Sequence, residues 1–572
     1  MKKIGKIKRK KRELFLDEVF LDSHNSPNFD QQQFEGRIEQ PIRKHVPLIV
    51  GIIFVLVTVL FGGRLYALQL SEGERYYNLS IRNSLDKDII FAERGVISDK
   101  YGEELSWNEQ PQEGDEFADR KYTTKPGFGL LLGYISYPQK DKAGFYWKTE
   151  FEGVAGIEKD FNSSLNGKNG QKIIEKNAVN EIISENVINP PVHGEVLQLT
   201  IDAGLQQKAY EAMVELSGRI SYQGGAVVIM DIYTGELLTL TSFPEYDSNI
   251  LADGDDSEAI NNLFASEREP FLNRALSGLY SPGSIVKPFV ALAALNEGII
   301  TENTRFYSDG TLEVVSPYDP SIVSVFRDWQ DDPVGWTNVR RALAESINNF
   351  FYIIGGGYKG QEGLGITRIE RYVKMFGVGS KTGIHLSGEV DGNVPNPDWK
   401  AEIFDGDIWR LGDTYNTAIG QYGFQVTPIQ MVRSVASLVN GGDLLVPKIV
   451  ETDPTESTKI EEDFDPAHMK VIQEGMRQVV TDGTGGLLNV SYVNVAAKTG
   501  TAQTGRNNEF VNSWSTGFFP YENPRYAFVV LMEKGPAKGD LSASFAMRQI
   551  LDWIRVERPE YFEINPETTI QQ

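Results

Sequence analysis

The chain has 572 residues, 41% of them hydrophobic, which is enough for two or three domains and a large core. Its formal net charge of −23 argues against nucleic-acid binding. Cysteine is absent and the five histidines (His24, His45, His193, His385, His468) keep no ligand spacing, so disulfides, thiol nucleophiles and a metal site are not expected.

Residues 1–45 form a basic, polar tail with Lys2, Lys3, Lys6, Lys8, Arg9, Lys10, Lys11 and Arg12, then Arg43 and Lys44. Such composition predicts disorder. Residues 46–61 are uncharged, and apolar character continues past Arg64 to Leu70. A membrane span needs roughly 20 residues, so a transmembrane helix is expected over 46–68, with Arg64 snorkelling. Cations precede it, whereas Glu72 and Glu74 follow. The positive-inside rule therefore predicts a single-pass protein of the cytoplasmic membrane, N-terminus inside and the remainder outside. A cleaved signal peptide is disfavoured by the long tail and the lack of a small-x-small site.

Residues 69–222 alternate short strand-like and helical stretches rich in Gly, Asn and Lys, ending in an amphipathic helix over 205–216 capped by Asp202. A larger domain is expected over 223–557. It opens with apolar strands at 226–230 and 236–240 around Thr234-Gly235, and closes with a helix over 542–555 before Pro559. Strands are also expected at 493–503, 513–519 and 526–533. Residues 558–572 are a C-terminal tail, and no internal repeat is present.

Chemistry concentrates in the larger domain. Ser284-Ile285-Val286-Lys287 follows the turn Pro282-Gly283 and heads an apolar run, Phe289 to Leu295. On a helix, residues three apart share a face, so Lys287 would stand one turn above Ser284. A serine hydroxyl needs such a base, and lysine serves only when its pKa is depressed. The helix N-terminus favours negative charge developing at Ser284. Alone the spacing is weak, since Ser84 and Lys87 also satisfy it. Order strengthens it: Ser346-Ile347-Asn348 follows, then Lys498-Thr499-Gly500-Thr501. Ser106, Ser164 and Ser184 also head Ser-x-Asn strings, but all precede Ser284. Lys381-Thr382-Gly383 repeats the last motif inside a Gly-rich loop. The later copy suits a sheet edge that can pair with an extended peptide. No Gly-x-Ser-x-Gly elbow or complete phosphate-binding loop occurs.

The ordered trio Ser-x-x-Lys, Ser-x-Asn, Lys-Thr-Gly is the mark of penicillin-binding proteins and class A β-lactamases. With Arg94-Gly95-Val96-Ile97-Ser98-Asp99, Gly153 to Glu158, Leu199 to Asp202, Gly225 to Asp231, Asn273-Arg274-Ala275 and Thr427 to Met431, the chain resembles class B penicillin-binding proteins over most of its length. It departs from them at Ser98, where tyrosine is usual, and at Gly420-Gln421-Tyr422-Gly423, where Gly-Gln-Gly is common. Tyr422 is therefore expected to alter donor-peptide fit near the cleft.

The resemblance implies an α+β fold: a pedestal over 69–222 and a penicillin-binding transpeptidase domain over 223–557, built as an antiparallel sheet flanked by helices. It implies a peptidoglycan D,D-transpeptidase acting on D-Ala-D-Ala stem peptides, inhibited by β-lactams, without a cofactor, and partnered by a SEDS-type glycosyltransferase. Ser284 would be the nucleophile and Lys287 its base. Ser346 would relay a proton, Asn348 would hold Lys287 and the substrate amide, and Lys498 would keep the site positive and lower the pKa of Lys287. Thr499, Gly500 and Thr501 would line the substrate, with the threonine hydroxyls on its carboxylate. Backbone N–H groups of Ser284 and Thr501 would form the oxyanion hole, where a lost donor costs about 3–4 kcal/mol. Two alternatives are a non-catalytic penicillin sensor or scaffold, and a membrane-anchored β-lactamase. The sensor would need a larger cytoplasmic domain, and the lactamase a Glu-x-x-Leu-Asn string that is absent. A bifunctional enzyme would need a Glu-Asp-x-x-Phe string within 69–222, also absent.

Overall fold

The computed structural model describes residues 45–77, 85–111, 115–177, 181–316, 319–330, 332–460, 464–537 and 541–563. The basic tail, apart from His45, lies outside the described residues, as do 564–572 of the C-terminal stretch. The chain divides into two compact units, 1–86 with 174–185, and 87–173 with 186–572.

In the first unit, helix α1 (His45–Tyr66) continues through a π-helical turn, Ala67–Ser71. The 27-residue helix is long and apolar enough to cross a membrane. None of the residues of α1 is buried. A helix apolar all round and uncovered by protein finds its match in lipid, and 22 residues reach about 33 Å against a hydrocarbon core of roughly 30 Å.

In the second unit, residues 87–173 fold around a buried ion triad. Glu158 accepts from Arg94 Nε at 2.5 Å and Arg120 Nε at 2.8 Å, and all three side chains are almost wholly buried. Asp99 Oδ2 accepts from Ala203 N at 3.1 Å. Glu245 accepts from Gly127 N at 2.5 Å and Gly129 N at 2.7 Å. Burial pushes the Glu245 carboxyl up to about 7 despite those bonds. Helix α2 (Ala203–Ile220) starts where Asp202 accepts from Leu205 N. Asp202 also accepts from Arg558 Nε at 2.8 Å and Tyr561 Oη at 2.9 Å, which docks the turn Pro559–Phe562.

The central sheet comprises β1 (Gly224–Asp231), β2 (Leu237–Phe243), β3 (Ala496–Thr504), β4 (Phe510–Phe519) and β5 (Tyr526–Pro536). Its order is β2-β1-β5-β4-β3 and every pairing is antiparallel. Strands β1 and β2 are buried throughout, because helices cover both faces. Val227, Ile229, Phe528 and Val530 pack with Leu205, Met213, Met547 and Ile550, from α2 and α6 (Ala543–Glu557). The alternate residues Ala226, Val228, Val529 and Leu531 pack with α3 (Lys287–Asn296) and α5 (Pro428–Ser437). Period-two alternation in the strands thus feeds two cores. This is the expected α+β fold, an antiparallel sheet flanked by helices. Strand β3 is an edge: among the described residues it pairs only with β4.

Candidate active site

Ser284 does not sit within the α-helix, as its spacing from Lys287 suggests, but in a 3₁₀ turn, Gly283–Val286, that precedes α3. Side chains three apart still eclipse there. Gly283 takes φ +55° and donates to Gly420 O at 2.9 Å. A Cβ on Gly420 would lie 2.2 Å from Gly283 O, so only glycine fits at that contact. On the other side Trp514 Nε1 donates to Ser281 O at 3.1 Å. A Cβ on Gly500 would meet Ile285 at 2.9 Å, which explains why the edge strand can lie against this turn.

Lys287 is fully buried in the first turn of α3. Its Nζ donates to Ser346 O and Asn348 Oδ1, both at 2.7 Å, and reaches Ser346 Oγ at 3.3 Å. Lys498 Nζ donates to the same Ser346 Oγ at 2.9 Å and to Thr499 O at 2.8 Å. Ser346, buried and at φ +58°, therefore bridges both amines. Among the described residues no hydrogen bond joins Ser284 Oγ to Lys287 Nζ, and Ser284 is half-buried. Burial lowers Lys287 to about 7, against the opposing charge of Asp328. Burial, and then the charge of Lys287, depresses Lys498 far below the ordinary lysine range. Two amines that meet at one hydroxyl repel each other when both are charged, so the cost of burying them falls on both.

Thr499 and Thr501 share the open side of β3, Thr501 exposed and Thr499 half-buried, while Lys498 and Gly500 face inward. Thr499 Oγ1 lies 2.5 Å from Thr484 Oγ1. A Cβ on Gly283 would be 3.1 Å from Thr501 O, so the nucleophile turn and Thr501 adjoin. The structure brings Ser284, Lys287, Ser346, Asn348 and Lys498 together, with Thr499, Gly500 and Thr501 along the rim.

The decoys fall elsewhere. Lys381-Thr382-Gly383 is a loop in which Glu389 accepts from Thr382 N and Oγ1, each at 2.6 Å; Ser84 lies outside the described residues. Tyr422, at φ +62°, packs into an aromatic cluster, its ring 5.9 Å from Trp399 and 5.8 Å from Trp409. Lys400 Nζ sits 5.6 Å from that ring and 2.7 Å from Asp413 Oδ2. Two residues missed in the sequence are Asp328 and Thr484. Both lie outside the three motifs, and only the fold brings them to the site.

Residues 225–552 match the family model of the penicillin binding protein transpeptidase domain, and 115–199 that of the penicillin-binding protein dimerisation domain. The chain is 33% identical over 462 residues to peptidoglycan D,D-transpeptidase MrdA of Escherichia coli K12, covering 74% of this chain and 69% of that one. It is 31% identical over 474 residues to MrdA of Haemophilus influenzae, covering 77% and 70%. Among solved structures, Pseudomonas aeruginosa PBP2 in complex with WCK 5153 superposes with a TM-score of 0.68 at 29% identity, over 84% of this chain and 99% of that one. PBP2 of Helicobacter pylori, in complex with MreC, gives 0.69 at 27%, over 82% and 98%.

A serine and two buried amines beside an open sheet edge define the class: serine acyltransferases that act on peptides. More narrowly, the chain belongs to the penicillin-binding protein transpeptidase family, with the activity of a β-lactam-binding peptidoglycan D,D-transpeptidase.

Proposed function

We propose that Ser284 is the nucleophile that takes the acyl group from a D-Ala-D-Ala stem peptide and passes it to an amine of a neighbouring stem. Neutral Lys287 accepts the Ser284 proton as Oγ bonds to the penultimate carbonyl carbon. The C–N bond then breaks, and Ser346 relays a proton to the departing D-alanine amine. Asn348 holds Lys287 and meets the substrate amide. Lys498 donates into Ser346. Thr499 and Thr501 hydroxyls take the terminal carboxylate beside Gly500, with the stem extended along the free edge of β3. N–H groups of Ser284 and Thr501 stabilise the oxyanion. One observation carries this reading: a fully buried lysine, three residues after the serine, held by Ser346 and Asn348 at 2.7 Å.

We assign the N-terminus to the cytoplasm and the catalytic domain outside, from the basic tail ahead of α1. A pedestal role for 69–222 draws support from the dimerisation-domain match at 115–199. A cell-shape role fits the stronger similarity to MrdA than to FtsI of E. coli, which is 25% identical over 403 residues. A SEDS-type glycosyltransferase is the expected partner, in line with a structural neighbour described as coordinating polymerization and crosslinking in a peptidoglycan synthase complex. The test is full-length protein incubated with glycan strands bearing pentapeptide stems. Wild type should release D-alanine and form cross-links. Release of D-alanine by Ser284→Ala at the wild-type rate would refute the assignment.

A further inference from the structure

The Ser346–Asn348 bend is gripped from behind by a carboxylate outside the three motifs. Asp328 follows the strand Val323–Arg327 and is 8% exposed. Its Oδ1 accepts from Asn348 N at 2.9 Å, and its Oδ2 from Asn349 N at 3.3 Å. These are the first two residues of helix α4 (Asn348–Gly356), where N–H groups lack intrahelical partners and negative charge is favoured. Oδ1 also accepts from Trp329 N at 2.9 Å, which fixes the carboxylate plane.

We propose that Asp328 is a positioning residue for transpeptidation: it clamps the start of α4 so that Ser346 O and Asn348 Oδ1 converge on Lys287 Nζ, and supplies the negative charge that Lys287 faces. The inference rests on Lys287 being the base. Three observations support it. First, the clamp begins two residues past the strained φ of Ser346, and Ile347 between them is held by its own bond from N to Ala342 O at 3.0 Å. Second, an amide could not replace the carboxylate. Both oxygens accept here, and an asparagine would set an NH₂ against an N–H. Third, among the described residues the groups that meet Lys287 Nζ are few: Ser346, Asn348 and the Phe351 ring of α4 at 5.1 Å, with Lys498 sharing Ser346 Oγ and the Asp328 carboxylate one hydrogen bond behind Asn348. Asp328 is the carboxylate whose charge raises Lys287 against burial.

The experiment is the rate of benzylpenicillin acylation against pH, using full-length wild type, Asp328→Asn, Asp328→Ala and Asp328→Glu, with Ser284→Ala as blank. Acylation should rise with pH as Lys287 loses its proton. Asp328→Asn should lower the plateau about tenfold and move the rising limb down by about one pH unit, because the ammonium has lost its counter-charge. Asp328→Glu keeps the charge and should hold the limb in its wild-type place even if the plateau falls. Rate constants per reactive site report only on folded molecules, so a destabilised variant remains readable. A limb unmoved in both Asp328→Asn and Asp328→Ala, or one moved equally by Asp328→Glu, would overturn the proposal. An adduct on Ser284→Ala would instead overturn the nucleophile assignment and leave the clamp geometry standing.

Discussion

Lys287→Met leaves an unbranched side chain of similar length in a fully buried slot and removes its amine. In the wild type, burial takes this lysine from 10.5 to about 7. At pH 7 about half of it is then neutral, against about one molecule in three thousand for a solvated lysine. The same fall corresponds to about 5 kcal/mol of disfavoured ammonium. Acylation by benzylpenicillin should therefore climb with pH and level off above about 7. The sign for stability follows from linkage. Between about 7 and 10.5 the folded state binds fewer protons than the unfolded one, so stability from this group rises with pH across that window. Below about 7 its full cost is present. Lys287→Met should slow acylation by about 10²–10⁴-fold, erase the rising limb, and flatten the pH dependence of thermal melting above pH 7. A variant that acylates within about tenfold of wild type, or that keeps the same limb, would refute a base role for Lys287.

Glu158→Gln leaves Arg94 and Arg120 charged and buried without a counter-ion, and thermal melting should show a loss of about 3–5 kcal/mol. Burial pushes the Glu158 carboxyl up, but Arg120 and Arg94 outweigh it and hold the group below its ordinary value of 4.5. Its stabilisation is thus present above about 4.5 and lost as pH falls through the lower folded value, which an acid titration of wild type against the variant should reveal. Tyr422→Ala removes ring contacts to Trp399, Phe404 and Trp409 and should cost about 1–3 kcal/mol in a melt. Its penicillin acylation rate should stay within about threefold of wild type, because the ring packs in its own cluster; a larger change would place it in the cleft.

Much of this fold was legible because its strands alternate and its helices are capped. Asp202 marked the start of α2, which runs four residues past the expected end before Ser221 turns left-handed. Strand β3 begins at Ala496 rather than Val493, since the ladder with β4 starts at Ala496 opposite Phe518. The five catalytic candidates were legible as three short strings in order, because each string is local chemistry: a turn, a bend, a strand. What the strings could not convey is how they meet. The 3₁₀ geometry at Ser284 depends on Gly420 lying against Gly283, more than a hundred residues away in sequence. Asp328 acts through backbone N–H groups, which carry no residue identity. The depression of both lysines comes first from their complete burial, a tertiary property. Tyr422, expected near the cleft because similar proteins place its loop there, packs its ring beside Trp399 and Lys400, in a loop whose Gly420 accepts from Gly283 N of the nucleophile turn.

The most direct measurement is the intact mass of the protein over hours with benzylpenicillin, beside Ser284→Ala. A single adduct that persists on wild type and is missing from the variant is the predicted result, that of an acyltransferase whose acyl-enzyme resists water. An adduct that forms on Ser284→Ala would contradict the assignment of Ser284, and one that clears from wild type within minutes would mark a β-lactamase.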